Sequence, residues 1–337
     1  MKVGIAGASG YAGAELLRLC AGHAELDVVL AGGDTQAGEP VASLYPSLAG
    51  AYRSLAFSTV GADDLDGLDV VFLALPHGQS QHLAPALVDR VGLLVDLAAD
   101  FRLHDPAAYP TWYGEKHVAP ELLGRFAYGL PELFGDGLDG ARLVAAPGCY
   151  PTAAALALAP LVRAGAISTT GIVVDAASGT SGAGRTPSPA MHFATVDENF
   201  TAYGLLTHRH TPEIEQAVGA QVLFTPHLAP MTRGILATCY ARPTGPCSTE
   251  DILGILRDAY ADAPFVVVSD ASPSTKATFG SNAAHLTARV DERTGWVLLL
   301  AAIDNLGKGA SGQAVQCVNR VQGWPETMGL STVGVFP

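Results

Sequence analysis

No stretch of this 337-residue chain approaches the roughly 18 consecutive apolar residues that a membrane-crossing helix needs. Its most apolar runs, residues 70–75 and 297–303, are only strand-length. The N-terminus lacks the apolar stretch and cleavage site of a signal peptide and runs straight into a glycine-punctuated segment. No C-x-x-C pair occurs, and the five cysteines are odd in number, which argues against a disulfide framework and a zinc knuckle and suits a reducing compartment. Basic residues are scarce. Lys and Arg number 19 against 32 Asp and Glu, the net charge is -13 and the pI about 5.1. A surface of that sign repels phosphate backbones and excludes general nucleic-acid binding. There is no internal repeat, and the 38 glycines and 22 prolines follow no period, so collagen-like and low-complexity structure are out. A soluble, cytoplasmic globular protein is expected.

What the chain has is core material. Hydrophobic residues make up 49% and charged residues 15%, and the length suggests two domains. Up to about residue 100, short apolar runs (3–6, 26–31, 68–74, 93–97) alternate with helix-compatible segments (11–21, 79–91), the pattern of a parallel sheet covered on both faces. Beyond a helix expected over 151–163, strand-like runs crowd together (171–177, 221–225, 235–241, 265–269, 285–290, 296–303) with one helix, 249–260, among them. That reads as a mixed, largely antiparallel sheet. The expected fold class is α/β, a Rossmann-type parallel sheet followed by an α+β domain. The boundaries are 1–148 for a dinucleotide-binding domain and 149–306 for a catalytic and dimerisation domain. The segment 307–337, with apolar Ala314, Val315, Val318 and Val321 at helix-face spacing, is expected to pack back on the first domain.

The first strand runs into Gly7-Ala8-Ser9-Gly10-Tyr11-Ala12-Gly13. In this spacing Gly7 and Gly10 let the backbone turn and approach a pyrophosphate, and Gly13 lets helix and sheet close up. A plain glycine-rich turn is the bland alternative, but a position between strand and helix at the chain start is the context the motif demands. The second strand ends in Gly33-Asp34-Thr35. Asp34 suits a ribose 2′-hydroxyl, Thr35 and backbone N–H groups can hold a 2′-phosphate, and no arginine is present for it. The segment leaves NAD and NADP both open, with a lean to NAD from Asp34. Leu75-Pro76-His77, at another strand end, is a further candidate for the cofactor crevice.

Cys149 lies in Pro147-Gly148-Cys149-Tyr150-Pro151-Thr152, a helix start, with Pro151 taken as the first helical residue. A helix N-terminus favours the thiolate, the nucleophilic form. Cys20, Cys239, Cys247 and Cys317 read as ordinary small hydrophobes. An acid–base partner is sought in His208-Arg209-His210-Thr211-Pro212-Glu213, where Glu213 is placed to orient an imidazole. The spacing equally describes a solvated helix start capped by Thr211. Two glycine-rich loops, around Ser178, Gly179 and Gly182 and around Asn305, Gly307 and Lys308, each follow an apolar strand. Each can cradle an anion or a nicotinamide carboxamide.

These segments, together with Asp96-Leu97-Ala98-Ala99-Asp100-Phe101-Arg102, Tyr128-Gly129-Leu130-Pro131-Glu132 and Ser181-Gly182-Ala183-Gly184-Arg185, occur in the order seen in the N-acetyl-gamma-glutamyl-phosphate reductases. The chain resembles that family over nearly its whole length. More distantly it is similar to aspartate-semialdehyde dehydrogenase and the glyceraldehyde-phosphate dehydrogenase-like architecture. The resemblance implies an arginine-biosynthetic oxidoreductase of EC 1.2.1.38, a homo-oligomer that uses NADPH to reduce an acyl phosphate to an aldehyde with release of phosphate. It implies Cys149 as nucleophile, His210 as acid–base partner and Glu213 as its orienter. Cofactor contacts would come from Gly7, Ser9, Gly10, Tyr11, Ala12, Gly13, Thr35, Leu75, Pro76, His77, Ser178, Gly179, Gly182, Asn305, Gly307 and Lys308. Substrate contacts would come from Arg102, Lys116, Arg185 and His208, in a cleft between the domains, and no metal is called for. The chain departs from many relatives in carrying Ala98 for a serine and Gly33-Asp34 for a Ser-Arg pair. The same chemistry on an aspartyl or carrier-bound aminoadipyl phosphate, and a non-catalytic NADP-binding sensor, are the competing readings.

Overall fold

The computed structural model describes residues 1–337, which divide into two compact units. The first comprises residues 1–147 and 310–330, the second residues 148–309 and 331–337. No helix is long and apolar enough to cross a membrane.

In the first unit, strands β1 (Lys2–Ala6), β2 (Asp27–Gly32), β3 (Phe57–Ser58), β4 (Val70–Leu73), β5 (Leu93–Asp96), β6 (Ala127–Tyr128) and β7 (Leu143–Ala145) form one sheet in the order β3-β2-β1-β4-β5-β7-β6. Every pairing is parallel. Strands β4 and β5 are buried at every residue, as continuous apolar strands covered on both faces must be. Helix Tyr11–Ala21 turns Leu16, Leu17 and Leu19 inward. Helix Gly312–Val321 belongs to the same unit, where the Cys317 thiol meets the Gly129 carbonyl and Asn319 bonds His23 at 2.9 Å. Two expectations change. The helix expected over 79–91 is a single α turn, Ser80–Leu83, followed by the 3-10 turn Ala84–Ala86, because Pro85 has no N–H to donate and its ring opposes the preceding turn. The tail 331–337 belongs to the second unit rather than the first. There Asn282 N–H donates to the Ser331 carbonyl at 2.8 Å and Val335 N–H to that of Phe279 at 2.7 Å.

In the second unit, β8 (Ile172–Ser178), β9 (Thr201–Ala202), β10 (Val222–Leu228), β11 (Ile235–Ala241), β12 (Val266–Val268), β13 (Ala284–Asp291) and β14 (Trp296–Ile303) form a mixed sheet ordered β12-β13-β14-β11-β8-β10-β9. Only the β12–β13 and β8–β10 pairs are parallel. Strand residues alternate between the faces. The register sets Phe224, Val174, Cys239, Leu299 and Ala288 in one buried row, on the face that carries helices Cys149–Arg163 and Thr249–Ala259. The neighbouring row on the other face, Leu223, Val173, Tyr240 and Leu298, is part-exposed, with Leu223 50% and Tyr240 36% accessible.

At the end of β5 the fully buried Asp96 accepts the Ala98 N–H at 3.1 Å. Burial, and then the negative charge of Asp100, push its carboxyl up to about 7. Asp100 itself accepts N–H groups from Gly78 at 2.6 Å and Gln81 at 3.0 Å. An unfolded aspartate titrates near about 3.9, so the folded chain binds this proton more tightly. The stability that Asp96 contributes is therefore full below about pH 4 and is lost as pH rises through about 7. Asp96→Asn is expected to unfold at higher urea than the wild type at pH 8, with the difference closing toward pH 4. A constant difference across that range contradicts the assignment.

Candidate active site

Cys149 and His210 are each the first residue of a helix, Cys149–Arg163 and His210–Val218. Both helices begin two residues before their proline. Pro151 and Pro212 occupy the third helical position, where no intrahelical N–H bond is required. Gly148 rather than a side chain caps the first helix, and Arg209 rather than Thr211 precedes the second.

The two helix starts are joined by Glu213. Its fully buried carboxylate accepts the Gly148 N–H at 2.8 Å, fixing the peptide just ahead of Cys149. Glu213, which the sequence puts beside His210 as its orienter, thus also reaches the peptide that precedes Cys149. His208 lies beside them, and its Nδ1 accepts the His210 N–H at 3.1 Å. Burial, with the Arg209 charge adding to it, pushes the His208 imidazole down to about 4, so it is neutral near pH 7 with its proton on Nε2. Its ring lies 4.9 Å from that of His210, 5.7 Å from Tyr150 and 5.4 Å from Phe224. Tyr150 is buried next to Cys149, and its hydroxyl meets those of Tyr203 and the His227 carbonyl oxygen, each at 3.1 Å. Burial holds that hydroxyl protonated. Sequence reasoning missed Tyr150 although the motif contains it, because nothing in spacing reveals a tyrosine's partners.

Cys149 is part-exposed. By contrast, burial pushes the thiols of Cys20 and Cys239 up to about 12, and Cys317 is fully buried. Gly309 packs directly on Cys149, since a Cβ there would stand 2.8 Å from the Cys149 Cβ and 3.2 Å from the Asp304 carbonyl oxygen. The two glycine-rich loops meet through Asn305, which donates to Ser181 Oγ at 2.9 Å and accepts the Gly234 N–H at 2.7 Å. A Cβ on Gly182 would stand 3.0 Å from Ser178 Oγ. Gly307 is closed in against the Ser281 carbonyl, and Gly179 against the backbone of Arg233. Lys308 is fully buried, with Nζ 5.7 Å from the centre of the Phe265 ring.

Of the other expected cations, Arg185 is half-buried at the end of the 180–184 loop, while Arg102 and Lys116 belong to the first unit. Lys116 is exposed. Arg102 is buried, giving Nε to the Ala146 carbonyl at 2.8 Å and Nη2 to that of Leu97 at 2.7 Å. Those bonds make it a tie between the ends of β5 and β7.

The first unit holds the glycine loop. Gly7 has φ +88°, and a Cβ there would collide with the Ala74 carbonyl at 2.3 Å. One on Gly13 would meet the Gly7 carbonyl at 2.3 Å, so the helix closes onto the loop only because position 13 is glycine. The helix that starts at Tyr11, behind Ser9 and next to Ala12, has no side-chain cap and no acid in its first turn. Unopposed first-turn N–H groups at a glycine loop fit a dinucleotide pyrophosphate. Thr35 and Asp34 are exposed in a 3-10 turn after β2. Leu75, Pro76 and His77 follow β4, with His77 5.4 Å from the Tyr113 ring.

Residues 2–141 match the family described as semialdehyde dehydrogenase, NAD binding domain, and residues 149–305 the semialdehyde dehydrogenase dimerisation domain. The N-acetyl-gamma-glutamyl-phosphate reductase of Symbiobacterium thermophilum is 50% identical over 347 residues, covering all of this chain and 99% of the relative. That of Desulforudis audaxviator is 48% identical, with both chains covered in full. Aspartate semialdehyde dehydrogenase II of Vibrio cholerae, complexed with ASA, shares the fold with a TM-score of 0.71 over 95% of this chain and 98% of that one, at 15% identity. With two glycine-loop and helix-start sites built as above and full-length identity near one half, the chain belongs to the N-acetyl-gamma-glutamyl-phosphate reductase family.

Proposed function

We propose that the protein reduces N-acetyl-gamma-glutamyl phosphate to N-acetyl-glutamate 5-semialdehyde in arginine biosynthesis, with NADPH as donor and inorganic phosphate as co-product. The observation that carries the reading is the pair of helix starts. A part-exposed Cys149 and a histidine, His210, head two helices locked together by Glu213. Full-length relatives of that activity support it.

The first-turn N–H groups of the Cys149 helix favour an anion at Sγ. The thiolate adds to the acyl-phosphate carbonyl, and the tetrahedral oxyanion collapses by breaking the bond to the phosphate oxygen. Phosphate leaves and a thioester to Cys149 remains. When bound, a nicotinamide cofactor would supply a hydride to the thioester carbonyl carbon, and Gly7, Gly10 and Gly13 with the first turn at Tyr11 would hold its pyrophosphate. His210 gives a proton to the developing alkoxide. It takes that proton back as the carbon–sulfur bond breaks and the aldehyde departs. Neutral His208 holds the His210 main chain throughout. Thr35 and the backbone after β2 take the 2′-phosphate of NADP in this reading.

A cytoplasmic, reducing setting keeps Cys149 a thiol. The part-exposed apolar row of Leu223, Val173, Tyr240 and Leu298 supports a homo-oligomer formed through the second sheet.

Assayed in reverse, the wild type is expected to oxidise N-acetyl-glutamate 5-semialdehyde in the presence of phosphate, faster with NADP than with NAD. No turnover, or a preference for aspartate semialdehyde, rejects the substrate, and equal rates with NAD reject the cofactor. Cys149→Ser is expected to bind cofactor as the wild type does, by fluorescence titration, yet lose nearly all turnover. Substantial residual activity rules out the thioester. His210→Asn is expected to slow turnover by at least ~100-fold through loss of acid–base transfer. Should it turn over at the wild-type rate, His210 is not the proton carrier.

A further inference from the structure

Sequence reading passed over Arg233, which lies in the turn between β10 and β11. Its Nη1 is 3.3 Å from Asp304 Oδ2, and its side chain is 19% exposed while that of Asp304 is fully buried. Its guanidinium lies 5.8 Å from the centre of the Phe279 ring, which limits its rotation. The turn is anchored to the 179–184 glycine loop, whose Thr180 and Ser181 N–H groups donate to the carbonyls of Met231 and Thr232 at 2.9 and 3.1 Å.

Asp304 connects this cation to the nucleophile. Its carbonyl accepts the Gly309 N–H at 2.9 Å, and Gly309 is the residue packed on Cys149. The Asp304 carboxylate is also well supplied without Arg233. Oδ1 accepts Leu306 N–H at 2.8 Å and Gly307 N–H at 3.0 Å, and Oδ2 accepts Gly280 N–H at 2.6 Å. Against those three short main-chain bonds, the 3.3 Å contact from Arg233 is long for a charge-assisted pair, which is usually about 2.7–2.9 Å. Asp304 holds the guanidinium at Nη1, and a guanidinium's fork of N–H donors matches a carboxylate or phosphate edge. In an acidic chain, a part-exposed arginine linked through Asp304 to the glycine packed on Cys149 is well suited to recruit an anion.

We propose that Arg233 is a substrate-binding residue that holds an oxyanion of the acyl-phosphate substrate, its phosphate or its carboxylate, with Asp304 as the positioning residue behind it. The inference rests on the reductase reading above. The reverse reaction separates the two anions, because phosphate and semialdehyde enter as different molecules. Arg233→Met is expected to raise one of the two KM values about 10- to 100-fold with little change in kcat, and Arg233→Lys to raise the same one less. A rise for phosphate identifies the phosphate subsite, and a rise for semialdehyde the carboxylate subsite. If neither KM moves in a variant whose melting temperature matches the wild type, the proposal is overturned. If Arg233→Met does not fold, the Lys variant decides by the same criterion.

Should the wild type itself fail to turn over this semialdehyde, the reductase reading falls, and Arg233 is then judged without turnover. Inorganic phosphate or N-acetylglutamate is expected to slow iodoacetamide alkylation of Cys149 in the wild type, less in Arg233→Lys and not in Arg233→Met. Equal protection in wild type and variants, or none in the wild type, overturns it.

Discussion

One buried hydrogen bond, from the Gly148 N–H to the Glu213 carboxylate, ties together the helix starts at Cys149 and His210. A carboxylate without solvent contact is costly unless its oxygens are occupied, and a bond to a charged acceptor is worth about 1.5–3 kcal/mol. Here that energy is spent at the one peptide whose orientation sets where Cys149 begins its helix. The same carboxylate lies one helical turn beyond His210, so any displacement of the second helix start is transmitted to the first. His208 extends the arrangement by accepting the His210 amide, and Tyr150 packs beneath both imidazoles.

Electrostatics are handled locally by main-chain groups rather than by a reservoir of basic side chains. The chain is strongly acidic, and its cations are few. Its glycine loop, the start of the Cys149 helix and the Asp304 carboxylate are all served by backbone N–H donors, which carry no net charge and need no neutralising partner. Thiol chemistry is separated in the same way. Burial keeps Cys20 and Cys239 protonated, while Cys149 stands at a helix start with partial access to solvent.

Much of this was legible in the sequence. Helix Tyr11–Ala21 and strands Ile235–Ala241 and Trp296–Ile303 fall where apolar periodicity puts them, and the parallel-then-mixed order of the sheets follows from the change in texture near residue 150. Local signals misled in definite ways. Proline marked both functional helix starts but sat third rather than first, since the whole first turn tolerates a missing N–H. Pro85 cut a periodic segment that would otherwise have run on as a helix. The candidate site was legible as a set of residues and not as a set of contacts. Glu213 reaches a backbone amide 65 positions earlier, Arg233 reaches Asp304 71 positions later, and Lys308 lies over the Phe265 ring. Partners at that separation are fixed by the fold and leave no local pattern.

The sheet of the second unit explains why a site of this kind carries an apolar surface with it. Seating the Cys149 helix requires a buried row, and Phe224 in that row lies 5.2 Å from the Tyr150 ring. Side chains alternate along a strand, so the residue before Phe224 must face the other way. That residue is Leu223, aligned by register with Val173 and Tyr240. The row is apolar from β10 to β14, through Leu298, and ends at Arg289 on β13. Apolar side chains left part-exposed on such a face, here among polar ones such as Asp175 and Thr238, are the kind of surface that association covers. The register that positions the Cys149 helix therefore also fixes which side chains the opposite face of the sheet presents.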